Sequence, residues 1–148
     1  MYYVPSTLYG RDFELEDSHF IFDLIKKINS GKNKEADVEL WGDGYQKREL
    51  IYVDDAINIM LDTLQLENKT INLGTGIEYS IREYADSVSS IIGYDSTDIF
   101  YDTTKYVGVR SKRLDTTLLK TVLPDFKFTS LDKALEETIK YYQKKLKE

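Results

Sequence analysis

The chain alternates short apolar runs with longer stretches whose apolar residues recur at helical spacing, and this alternation restricts it to a mixed α/β fold. The best-bounded helix starts at the capping box Ser80-x-x-Glu83, continues through the stripe Ile81, Tyr84, Val88 and Ile91, and stops at Gly93. An earlier stripe, Ile21, Leu24, Ile25 and Ile28, has Asp17 or Ser18 as its cap and Ser30-Gly31 as its stop. Asp54 is expected to cap a third helix running through Ile57, Met60, Leu61 and Leu64. A short helix follows Asp115, and a final one turns Leu131, Leu135, Ile139, Tyr142 and Leu146 inward. Strands are expected at residues 2–5, 38–41, 49–53, 70–73 and 98–101, with the turn Gly42-Asp43-Gly44 between the second and third.

Only two prolines occur in 148 residues and no Pro/Gly-rich linker interrupts them, so residues 1–148 read as one unit. A chain of this length buries roughly two-thirds of its unfolded surface and needs no covalent staples. The absence of Cys excludes thiol nucleophiles and Cys-ligated zinc, and a single His excludes a polyhistidine metal site, so no metal is expected. A net charge of −6 argues against a nucleic-acid partner. No apolar run reaches the roughly 18 residues of a membrane span and no signal-like segment opens the sequence, so the expectation is a cytoplasmic chain with no membrane partner.

Four strings go beyond fold class. They are Val4-Pro5-Ser6-Thr7-Leu8-Tyr9-Gly10, then Trp41-Gly42-Asp43-Gly44 followed by Arg48-Glu49-Leu50-Ile51-Tyr52-Val53-Asp54-Asp55, then Ile71-Asn72-Leu73-Gly74-Thr75-Gly76, and Ser80-Ile81-Arg82-Glu83. In this order and at these separations they resemble the carboxy-terminal half of the extended short-chain dehydrogenase/reductases, the NAD(P)-dependent sugar-nucleotide epimerases and dehydratases. Asp17-Ser18-His19, Trp41 and Asp102-Thr103-Thr104-Lys105 are similar to the GDP-L-fucose synthase branch. The resemblance implies a substrate-binding lobe without the amino-terminal Rossmann sheet, residues 1–10 being the remnant of one of its strands and the following loop. It implies NADP as cofactor of the intact enzyme and a GDP-sugar as ligand.

That family's dinucleotide fingerprint needs a strand, a tight glycine turn and a helix N-terminus at the pyrophosphate. Gly74-Thr75-Gly76 lacks the third glycine, and its helix starts only at Ser80, so it reads as a strand-to-helix turn. A catalytic Tyr-x-x-x-Lys belongs on a helix, where a spacing of four puts both side chains on one face. Tyr101 to Lys105 leaves a strand for a loop, and Tyr141 to Lys145 lies on the terminal helix, so both read as decoys. The catalytic Cys of the epimerisation step would lie in the missing half, consistent with a Cys count of zero.

His19 falls on the helix face opposite the apolar stripe, shared with Asp23 and Lys26. The resemblance gives it the role of general acid in the epimerisation; the alternative is a solvent-facing residue. Arg48 follows a glycine turn, where a guanidinium can clamp a diphosphate bidentately. Lys27 stands where the family places a phosphate-binding cation. For both, the alternative is a solvated surface charge. Trp41 either packs beside the nucleotide or fills the core. The resemblance further implies substrate contacts from Thr7, Lys105 and Arg110, and cofactor contacts from Pro5 and Ser6. It does not decide which cation of Arg110-Ser111-Lys112-Arg113 takes the role at the nucleotide. Thr7 replaces the family's Asn, Arg11 replaces its Pro, and the loop from Gly10 to His19 is two residues short of the fucose synthase pattern.

The reading that follows is the sugar-nucleotide-binding portion of an NADP-dependent epimerase/reductase, inactive alone. The alternative is a stand-alone, non-catalytic domain that binds a nucleotide sugar or a protein. Residues 1–9 are expected to be poorly protected and to associate with the missing half or with another copy.

Overall fold

The computed structural model describes residues 1–11 and 19–146. In chain order the elements are β1 (Tyr2–Pro5), β2 (Thr7–Tyr9), α1 (Phe20–Lys32), β3 (Glu39–Trp41), β4 (Lys47–Arg48), β5 (Leu50–Tyr52), α2 (Val53–Asp62), β6 (Thr70–Leu73), β7 (Tyr79–Ser80), α3 (Ile81–Ile92), a 3-10 turn at Ser96–Asp98, β8 (Phe100–Asp102), β9 (Ser111–Lys112), α4 (Thr117–Val122) and α5 (Leu131–Lys145). This is a mixed α/β fold.

The strands form small sheets, and most pairings are parallel between segments far apart in the chain. β1 pairs with β6 from Tyr2 opposite Thr70 to Pro5 opposite Leu73. β2 pairs with β5, and β3 with β8. β4 lies between antiparallel β7 and parallel β9. All four sequence strings thereby become neighbours, because the opening string lies along Thr70–Leu73 and along Leu50–Tyr52, and Arg48 lies in the strand beside Tyr79–Ser80.

Strand β5 divides the core. Its alternation sends Leu50 and Tyr52 into one apolar cluster with α1, α3 and α5, and Ile51 into a second with Ala56, Ile59, Ile71, Leu73 and Leu119. All three residues of the strand are buried. Such an unbroken apolar run is what a strand covered on both faces requires.

Helix α3 begins as expected. Ser80 Oγ accepts from the Glu83 N–H at 3.2 Å, the Glu83 carboxylate accepts from the Ser80 N–H at 2.7 Å, and Gly93 closes the helix at φ 78°.

Elsewhere the structure corrects the expected elements. Helix α1 runs past Ser30-Gly31 to Lys32, and His19 is its N-cap rather than a residue of its first turn. The caps expected at Asp17 and Ser18, and the shortened loop, lie outside the described residues. Asp54 is not an N-cap: α2 starts at Val53 after Tyr52, and Asp54 sits in its first turn, paired with Arg11 at 2.7 Å. The apolar residues that mark this helix in the sequence face outward, since Ala56, Ile59 and the C-cap Thr63 are buried while Ile57, Met60, Leu61 and Leu64, the last just beyond α2, are exposed. The strand expected at residues 98–101 starts at Phe100, because residues 96–98 form a 3-10 turn. Leu146 follows α5 and is exposed. The opening segment is not bare, as each of its strands has a parallel partner along one edge. Among the described residues no helix is long and apolar enough to cross a membrane.

The capping box supplies a stability test. Its hydrogen bonds with Ser80 hold the Glu83 carboxyl below its ordinary range. A depressed folded-state value means the contribution is present above the unfolded carboxyl range and is lost as pH falls through the folded value. Ser80→Ala should cost about 1 kcal/mol in urea unfolding at neutral pH. The difference in stability between wild type and Glu83→Gln should shrink toward zero as the solution is acidified.

Candidate functional site

Two clefts adjoin at Arg48. The first, about 530 Å³, is walled by α1 through Phe20, Asp23, Leu24 and Lys27, by Leu40 and Trp41, and by the loop Tyr106, Val107 and Gly108. The second, about 350 Å³, is lined by Pro5, Ser6, Thr7, Leu8, His19, Glu49, Lys112, Arg113 and Leu114. Arg48 lines both.

Local structure fixes Arg48 from behind and in front. Its carbonyl accepts from the buried Tyr84 hydroxyl at 3.0 Å, and burial pushes the Tyr84 phenol well above its ordinary value, so that hydroxyl remains a donor. Its guanidinium donates to the carbonyls of Lys47 at 2.7 Å, Val109 at 2.8 Å and Val107 at 3.1 Å. The side chain thus holds loop 107–109 over the first cleft. Gly42 allows the same approach from the other side: at φ 81°, it lies where an added Cβ would overlap Val107.

The turn Gly42-Asp43-Gly44 is anchored to the start of α3. Arg82 Nε donates to the Asp43 carbonyl at 2.8 Å, and its guanidinium lies 3.8 Å from the Tyr101 ring centroid. The Arg82 and Ile81 N–H groups donate to Gly44 and Gln46. The Ser80-Ile81-Arg82-Glu83 string therefore holds the Trp41-Gly42-Asp43-Gly44 string in place.

Glu49 does the corresponding work for the second cleft. It is buried, and its carboxylate accepts from the N–H groups of Gly76 at 2.6 Å and Leu114 at 2.7 Å. The Gly74-Thr75-Gly76 turn is thereby committed to an internal carboxylate. The same contact carries the segment with Lys112 and Arg113 to the cleft.

The expected residues separate into three groups. Trp41, Lys27 and Arg48 meet in the first cleft, where Trp41 is 56% exposed and so is not a core residue. Lys27 pairs with Asp23 at 3.1 Å. Pro5, Ser6, Thr7 and His19 meet in the second cleft, with His19 exposed at the start of α1. Lys105 and Arg110 line neither: Lys105 faces Asp102 at 4.0 Å, and Arg110 faces Asp43 at 3.7 Å. Of the cationic string, Lys112 and Arg113 are the members that reach the second cleft. Asp54 and Asp55 do not form a carboxylate pair, because Asp55 is buried and accepts from Thr129 N–H and hydroxyl at 2.9 and 2.8 Å. Among the decoys, Lys145 lies 5.7 Å from the Tyr141 ring centroid, a cation over a ring rather than beside a phenol.

Two groups at the clefts carry unmet hydrogen-bonding capacity. Gln46 Oε1, on a residue of the first cleft that the sequence reading missed, and Ser6 Oγ, in the second, are buried without partners. Tyr106, 87% exposed, joins Trp41 as a second aromatic at the first cleft.

Residues 1–74 match the NAD dependent epimerase/dehydratase family. The chain belongs to that family. GDP-L-colitose synthase of Yersinia pseudotuberculosis is 34% identical over 148 residues, which cover 94% of this chain and 46% of that protein. A GDP-L-fucose synthetase from Naegleria fowleri, solved with NADP bound, superposes with a TM-score of 0.88 at 23% identity over 97% of this chain and 46% of that one. UDP-glucose 4-epimerase of Thermotoga maritima, solved with UDP-glucose, gives a TM-score of 0.82 at 25% identity over 97% of this chain and 46% of that one. The chain thus spans a little under half the length of these family members.

Glu49→Gln tests how the site is held. The amide can accept one of the two N–H groups but presents a donor to the other, so unfolding stability should fall by about 1–3 kcal/mol. Amide exchange should rise at Gly76 or Leu114. Unchanged stability would show that the carboxylate does not hold the two segments.

Proposed function

We propose that this chain is the sugar-nucleotide-binding lobe of an NADP-dependent epimerase/reductase acting on a GDP-4-keto-6-deoxyhexose. The observation that carries the reading is Arg48 at the junction of the two clefts. Three of the guanidinium's N–H groups already hold the Lys47, Val107 and Val109 carbonyls, and the remaining ones are those that would meet a diphosphate, with the base directed into the cleft of Trp41 and Tyr106 and the sugar toward His19. Trp41 and Tyr106 offer exposed rings to a flat heterocycle, and Lys27 adds a positive charge on the same wall.

In the second cleft, His19 is the candidate to return a proton to carbon during epimerisation, with Lys112 and Arg113 facing the same space. Pro5 and Ser6 fit the nicotinamide end of the cofactor, since the buried Ser6 hydroxyl lacks a partner that a carboxamide would provide. When bound, NADP would supply the hydride of the reduction. The glycine fingerprint for the rest of the dinucleotide does not occur in this sequence, so the chain by itself should not transfer hydride. Relatives named as GDP-L-colitose synthase and GDP-L-fucose synthases support the choice of GDP and of a deoxy sugar.

Calorimetry with GDP tests the assignment. Arg48→Ala should weaken binding by about 2–3 kcal/mol, the range for losing a charge-assisted pair. Arg48→Lys should recover only part, because an ammonium keeps the charge without the fork geometry. Equal affinity for wild type and Arg48→Ala would remove Arg48 from the nucleotide site.

A further inference from the structure

Gln46 is a buried amide in a cleft whose walls are largely apolar. Phe20, Leu24, Leu40, Trp41, Ile81 and Val107 line the same space. Of the charged side chains there, Lys27 pairs with Asp23, and Arg48 is held by three carbonyls. Gln46 is only 7% exposed, and its backbone carbonyl accepts from the Ile81 N–H at 3.1 Å, which ties it to the start of α3.

The direction of the amide is fixed as well. Its Nε2 donates to the Trp41 carbonyl at 3.2 Å. A carbonyl can only accept, so turning the amide over would set two oxygens against each other. Oε1 is therefore held where it lies, buried and, among the described residues, without a donor. An acceptor withdrawn from water and left unpaired costs stability, which makes it a place where a ligand's N–H gains more than an ordinary hydrogen bond.

We propose that Gln46 Oε1 reads the nucleotide base, accepting from the 2-amino group of guanine and so selecting guanine over hypoxanthine and uracil. This rests on the reading that the base enters the cleft of Trp41 and Tyr106. With Nε2 engaged by Trp41, the amide offers a ligand an acceptor and no donor. The acceptor is recessed in the wall, so a group that projects beyond the ring reaches it better than a ring N–H does. Guanine projects an amine beside its N1–H. Hypoxanthine lacks that amine, and the groups that uracil projects are both carbonyl oxygens, which meet Oε1 oxygen to oxygen. A base without the matching donor leaves the amide oxygen buried and unpaired, the condition under which a polar site discriminates most strongly. Gln46 also holds the Trp41 carbonyl, so the residue that reads the base edge positions the aromatic residue beside it.

Calorimetric titration of the chain with GDP, IDP and UDP tests this. GDP should bind about tenfold more tightly than either IDP or UDP. Gln46→Met, which roughly keeps the side-chain volume and removes the acceptor, should lower the affinity for GDP to that for UDP. The comparison of GDP with IDP needs no variant, so it decides the matter even where Gln46→Met fails to fold. Equal affinity of the wild-type chain for GDP and IDP would overturn the proposal, as would a GDP preference that survives in a folded Gln46→Met. The diphosphate is common to all three ligands, so Arg48→Ala should weaken them alike. Binding without preference therefore removes Gln46 alone, whereas no binding by any of the three removes the nucleotide site and this inference with it.

Discussion

Strand β5 places buried side chains in both apolar clusters, and its position determines where the functional groups just before it point. Leu50 and Tyr52 are held by α1, α3 and α5, and Ile51 by α2, β6 and α4. With the strand fixed on both faces, Glu49 is drawn inward to bind the N–H groups of Gly76 and Leu114. Arg48, one residue earlier, is left at the cleft with its backbone tied by Tyr84. Adjacent residues thus organise different segments: the Glu49 carboxylate holds Gly76 and Leu114, and the Arg48 guanidinium holds the 107–109 loop where the two clefts adjoin.

Much of this was legible because the relevant signals are local. The Ser80/Glu83 box and Gly93 bound α3 through hydrogen bonds and a backbone angle that those residues supply by themselves. Arg48, Trp41 and Lys27 could be grouped because the strings around them resemble one family, and the first cleft brings the three together. The orientation of α2 was not legible. Ile57, Met60, Leu61 and Leu64 satisfy the helical period as well as Ala56, Ile59 and Thr63 do, and only tertiary contact decides which set faces the core. Glu49 and Gln46 were missed for a related reason. A carboxylate that accepts backbone N–H groups from residues 27 and 65 positions away leaves no periodic trace. Lys105 and Arg110 show the converse, since nearby Asp102 and Asp43 give their charges local partners that a one-dimensional pattern does not reveal.

The same physical economy accounts for the open side of the molecule. Parallel strand pairs and a helix with two apolar faces gain their full burial only when enclosed from both sides. This chain encloses one side, through its own core, and matches a little under half of each of its relatives. Its two clefts are built from its own elements: the 5–8 segment, α1, β3, β4, the 106–108 loop and the 112–114 segment.

Trp41 is the single tryptophan of the sequence, so its fluorescence reports the first cleft without a label. Titration of the purified chain with GDP should give a saturable change in Trp41 emission that Arg48→Ala shifts to higher GDP concentration. An emission spectrum indifferent to GDP at concentrations that saturate a full-length relative would contradict a nucleotide site between Trp41 and Arg48.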